Sequence, residues 1–151
     1  MLRLMTVAGA AMMIAGAAQA EEWMTLPEGR NVIVAVDRSS IRTSGSDKVF
    51  WSVFLAKTVR EDGFRHMLTQ YSLNCERETS RTLATVFYKE DGSVMETSAN
   101  PATDSPIPPG TMMSQILAAV CHDGWPAGGY GIATIRDWVE LTKAMIADGV
   151  N

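Results

Sequence analysis

The sequence predicts an α+β domain, an antiparallel meander of about six strands with a helix packed on it, followed by a C-terminal helix. Three observations point there. From Met67 the odd positions read Met67, Thr69, Tyr71, Leu73 and Cys75, against Leu68, Gln70, Ser72, Asn74 and Glu76. That period of two, apolar against mostly polar, is the pattern of a half-buried strand. Turn signals recur between β-prone runs, at Ser44-Gly45-Ser46-Asp47, Asp62-Gly63 and Asp91-Gly92, as hairpins require. After a stretch holding Pro101, Pro106, Pro108 and Pro109, the apolar spacing becomes helical.

Residues 1–20 read as a secretory leader. Arg3 gives a positive start, residues 4–18 are apolar and small, and Ala18-Gln19-Ala20 fits a cleavage pattern, placing the cut between Ala20 and Glu21. The apolar run is too short for a comfortable bilayer span, so no membrane span is expected after cleavage. No cysteine lies near the cut to carry a lipid. The expected compartment is the periplasm or the medium.

In the mature chain, residues 23–26 form a short extended piece, stopped by Pro27-Glu28-Gly29. Residues 31–36 are β-branched nearly throughout and predict a strand covered on both faces. Asp37-Arg38-Ser39-Ser40 is turn chemistry, because short polar side chains bond to the local backbone. Residues 41–43 begin another extended piece, and residues 49–59 are strongly β-prone. The strand at 64–77 follows the Asp62-Gly63 turn, residues 81–89 alternate again, and 93–98 return after Asp91-Gly92. Thr111 is a suitable N-cap for a helix whose apolar face is Met112, Met113, Ile116, Leu117, Val120 and Cys121. A Gly-rich link at 124–131 leads to a second helix at 135–147, started by Thr134 and Asp137, with Ile135, Trp138, Leu141 (or Thr142) and Met145 as its stripe. That helix is expected to pack on the domain edge, with a partner-binding or homodimer role as the alternative. The organisation is therefore a leader at 1–20, a sheet-and-helix domain at 21–123, and a link with a helix at 124–151.

Cleavage removes one charged residue and leaves 12 basic and 17 acidic residues. An acidic balance disfavours nucleic acid, whose binding relies on cations that neutralise phosphates. Cys75 and Cys121 are the only cysteines, and in an exported chain they pair most simply with each other. Two free thiols or an intermolecular bridge are the alternatives.

Candidate chemistry is thin. His66 and His122 lack the spacing and carboxylate company of metal or haem ligands, and read as surface histidines. Adjacent Cys121-His122 is poorly placed for a nucleophilic dyad. Glu61-Asp62 and Glu90-Asp91 sit beside turn glycines, where solvated acids are ordinary. The Gly-rich link lacks the frame of a phosphate loop. Arg60 and Arg65 flank one turn, Arg77 and Arg81 the next, giving two basic ends whose expected partners are Glu61, Glu76 and Glu78. Val49, Trp51, Val53 and Leu55 share one side of their strand and are the candidate partner surface, should the sheet leave them exposed. No catalytic residue, metal site or cofactor is expected.

The order of pieces resembles the surface-adhesin protein E family of bacterial exported proteins. The matching elements are Trp23, Asp37-x-x-Ser40-Ile41, Phe50-Trp51, Asn74-Cys75, Pro109-Gly110-Thr111 and Val120-Cys121, spread over residues 23–121. The resemblance implies a six-stranded antiparallel sheet with a helix against it, and a non-enzymatic role in binding host matrix or serum proteins. The adhesin type is lipid-anchored, whereas this chain has no lipidation cysteine. A periplasmic structural or inhibitor-type module acting on another envelope protein is the alternative.

Overall fold

The structure is a computed structural model that describes residues 20–27, 29–99, 103–127 and 131–149. The expected leader lies outside the described residues, apart from Ala20. Eight strands and two helices follow in order: β1 Trp23–Thr25, β2 Val32–Asp37, β3 Arg42–Ser44, β4 Asp47–Ala56, β5 Phe64–Asn74, β6 Thr79–Lys89, β7 Val94–Ser98, β8 Ser105–Pro106, α1 Met112–His122 and α2 Ile135–Ala147. The sheet is antiparallel and six strands wide, in the order β1-β2-β4-β5-β6-β7, with β3 on β4 and β8 on β6.

One of the two extra strands, β3, comes from a break. β2 pairs with Ser52 to Ala56 of β4, and β3 pairs with Asp47 to Val49 of the same strand. They are halves of one strand interrupted by a 3-10 turn at Arg38–Ser40. Asp37 makes that turn: its carboxylate accepts from the Ser39 amide at 3.0 Å and the Ser39 hydroxyl at 2.6 Å. Opposite the break, the Trp51 amide donates to the Ser40 hydroxyl at 2.9 Å, where a strand carbonyl would otherwise accept. A partly buried ladder donor is thus satisfied by a side chain.

The Asp62-Gly63 and Asp91-Gly92 turns are one device used twice. Gly63 donates to Arg60 O at 2.8 Å, Arg60 to Phe64 O at 3.1 Å, and the Asp62 carboxylate accepts from Phe64 N. The second turn repeats this with Lys89, Ser93 and Asp91. Both glycines have positive φ, +85° and +82°, the three-residue hairpin whose last position suits glycine. β4 ends at Ala56, short of the expected residue 59, because 57–59 belong to this connection.

Strands β2 and β4 have two dry sides. Val34, Val36, Phe50 and Leu73 pack with Ile116, Leu117 and Ala119 of α1. Trp23, Ile33, Ala35, Val53 and Leu55 pack with Trp138 and Val139 of α2. The molecule is therefore three layers, helix on sheet on helix. Thr111 caps α1, accepting from Ser114 N at 3.2 Å, and Thr134 caps α2 through Asp137. Cys75, just past β5, is bonded to Cys121 in the last turn of α1, with Cα atoms 5.6 Å apart.

Two expectations are corrected here. The C-terminal helix covers the second sheet face and not the domain edge. The Trp138 indole donates to Thr25 at 2.9 Å, which fixes the roll of α2 so that Val139 and Thr142 point inward. Leu141 and Met145, assigned to the stripe, are 51% and 39% exposed. As a result the candidate surface does not exist as drawn. Val53 and Leu55 are fully buried under α2, and Trp51 packs against the same core.

Candidate functional site

What α2 leaves uncovered is the β5–β6–β7 half of the same face. His66 and Leu68 of β5 lie beside Tyr88 and Val86 of β6 there, and Val94 of β7 pairs with Tyr88. Between this floor and the flank of α2 runs a cleft of about 450 Å³, lined on the helix side by Ile135, Arg136, Val139 and Glu140, and at one end by Asp91 and Gly92.

His66 forms part of the floor. It is 8% exposed, and its ring lies flat on Tyr88, with centroids 4.6 Å apart and planes within 6°. Burial, then the positive charges of Lys143 and Arg65, push its pKa down to about 4. Its Nδ1 is buried with no hydrogen-bond partner among the described residues. The surface histidine expected at 66 is thus a buried neutral one. His122 is exposed at the end of α1, on the opposite side of the sheet. The two histidines cannot share a ligand. Among the described residues no three of His, Cys, Asp and Glu come close enough to hold a metal ion.

A charge cluster lies next to the Asp91-Gly92 end of the cleft. Glu90, in the β6–β7 turn, sits between Arg65 Nε at 3.0 Å and Lys143 Nζ at 3.3 Å. Lys143 also donates to the Glu90 carbonyl at 3.1 Å and reaches Glu140 at 3.3 Å. Arg65 is buried, contrary to the expected solvated rim, because β5 and β6 slip register between Phe64 and His66 and leave it between paired positions. The other arginines also find unexpected partners. Arg60 pairs with Asp62 at 3.0 Å, Arg77 with Asp104 at 3.2 Å, and Arg81 with Asp47 and Asp104 at 3.6 and 3.5 Å. Among the described residues, Glu61, Glu76 and Glu78 are not the acids these arginines use.

Asn74 has a structural role beside the disulfide. Its amide donates to Asp47 at 2.8 Å and Ser46 at 3.0 Å, and its carbonyl accepts from Arg77 N at 2.9 Å. The Ser72 hydroxyl and this amide hold the Asp47 carboxyl below its ordinary range. Glu21 has a comparable structural role. One carboxylate oxygen accepts at 2.7 Å from both the Trp23 indole and the Ile135 amide at the start of α2.

These elements make a disulfide-braced antiparallel meander of the α+β class with a helix on each face. The sequence profile of surface-adhesin protein E matches residues 23–122, and the chain belongs to that family. Crystal form II of Haemophilus influenzae protein E is similar in fold, with TM-score 0.50 and 16% identity over 80% of this chain and 98% of that one. Another Haemophilus influenzae protein E structure gives 0.48 and 18%, over 80% and 95% of the two chains. A non-typeable Haemophilus influenzae protein E structure gives 0.45 and 15%, over 96% and 97%. No curated protein sequence matches the chain. The family match stops at residue 122, so α2 and its side of the cleft lie outside it, while the sheet side of the cleft lies within.

Proposed function

We propose that this chain is an exported, non-enzymatic binding domain that recognises a protein partner through the open half of its second sheet face. The family supports a binding role, and no described helix is long and apolar enough to cross a membrane. The observation that carries the choice of surface is the displacement produced by α2. It covers Val53 and Leu55 and leaves Leu68, Val86, Tyr88 and Val94 beside the cleft, with Val94 56% exposed. In this proposal export follows cleavage between Ala20 and Glu21, and mass analysis of the mature protein should find Glu21 first.

Purified mature chain should bind an identified envelope or host-matrix protein saturably, and Val94→Glu should abolish that binding without lowering the melting temperature. Unchanged binding by Val94→Glu would overturn the choice of surface. Partners drawn from the cell's own envelope, with resistance of the chain to protease added to intact cells, would make it a periplasmic structural or inhibitor-type module. Binding of external matrix proteins, with sensitivity to that protease, would make it an adhesin. A second copy of the chain is also a candidate partner, to be read from sedimentation.

A further inference from the structure

We infer that the cleft between α2 and strands β5 and β6 receives an uncharged aromatic side chain of the partner protein, with Arg136 at its mouth meeting an acidic neighbour of that side chain. The inference rests on the partner-binding proposal and adds the chemistry of the contact. A volume of about 450 Å³ lies within the range of ligand pockets, and such pockets hold the aromatic anchors that dominate protein interfaces. Leu68 and Val139 make the walls apolar, while the flat His66–Tyr88 pair offers a planar surface on which a further ring can stack.

Burial, with the positive charges of Lys143 and Arg65 behind it, disfavours a cationic anchor at the floor. Burial is the first reason His66 refuses a proton, and Lys143 and Arg65 add to it more than Glu90 and Glu140 offset. A lysine or arginine inserted there would meet the same burial and the same neighbouring charges. The mouth selects the flanking residue. Asp91 is engaged by the Ser93 amide at 2.9 Å, and Glu140 by Lys143 at 3.3 Å. Arg136, exposed in the first turn of α2, makes no ion pair or side-chain hydrogen bond among the described residues. It is the one cleft cation left for a carboxylate, and charge complementarity at an interface acts mainly on selectivity.

The test uses three peptides and the mature chain followed by methyl NMR. Acetyl-Asp-Trp-Asp-amide should shift the signals of Leu68, Ile135 and Val139, and bind about threefold more tightly than acetyl-Lys-Trp-Lys-amide, the size of an exposed ion pair. Acetyl-Asp-Ala-Asp-amide should shift none of them. Arg136→Glu, a change at an exposed position, should reverse the charge preference, and Leu68→Trp should fill the cleft and end binding. Shifts elsewhere, or none, overturn the inference, as does equal binding of the two tryptophan peptides. If Leu68→Trp still captures the protein partner, the cleft is not the anchor and the binding-domain proposal stands. If the peptides bind as expected but no protein is captured, the broader proposal fails and the cleft's chemistry remains.

Discussion

His66 is held neutral by burial and by the charges of Lys143 and Arg65, and this has a sign in stability. The folded group titrates at about 4 and the unfolded one near 6.5. Above that window both states are neutral and His66 contributes no pH dependence. Below 6.5 the unfolded chain takes up a proton that the folded chain refuses, so stability falls as pH falls toward 4. The full loss is about 3 kcal/mol. His66→Phe should remove this part of the acid sensitivity. Urea unfolding of both proteins between pH 7 and pH 4 checks it, and parallel curves would refute the linkage. Glu21 offers a second residue-scale prediction. Glu21→Gln replaces a charged acceptor shared by Trp23 and the start of α2 with a neutral one, and should cost about 1 kcal/mol in the same assay.

The two helices are held by different physics. α1 is tied covalently, and a bridge spanning 46 positions limits the unfolded chain by about 4 kcal/mol on the chain-entropy account. Cys75→Ser should therefore lose roughly 2–5 kcal/mol, and an unchanged melting temperature under oxidising conditions would count against it. α2 depends on burial. Trp138→Ala should cost about 3–5 kcal/mol, whereas Leu141→Ala, at an exposed site, should stay within about 0.5 kcal/mol. Equal losses would mean that α2 sits with its other side inward. Element positions were legible: α2 runs over the predicted residues, and both caps are the predicted threonines. The facing of α2 was not. Leu141 and Thr142 both fit a helical stripe after Trp138, and hydropathy favours leucine. The indole bond to Thr25, formed across 113 positions, chooses threonine. The cleft was hidden for a similar reason. Counting back from the turn after Asn74 sets His66 opposite Phe87, but a register shift between Gln70 and Tyr71 sets it opposite Tyr88. A one-residue slip exchanges the faces of a strand, and no glycine or proline at that shift announces it.

At the scale of the whole molecule, one sheet carries two cores of unequal security. The first encloses Phe50 and Leu73 beneath a helix that cannot leave while the disulfide is intact. The second encloses Val53 and Leu55 beneath a helix held by Trp138, by Glu21 at its start and by the Lys143–Glu90 contact near its end. The surface contacts in that set are individually weak. Segments fixed by few strong contacts open before the domain unfolds. Amide exchange in α2 should therefore proceed by a partial opening, at a free energy well below that of β4 and β5, while α1 exchanges with the strands. Acidification should lower the α2 opening energy first, because opening exposes His66 and lets it take up the proton that the closed form refuses. Native-state exchange at pH 7 and pH 5 measures both. If α2 exchanges at the same free energy as β4 and β5 at each pH, the two cores form one cooperative unit and α2 is as integral to the fold as the disulfide-bonded helix.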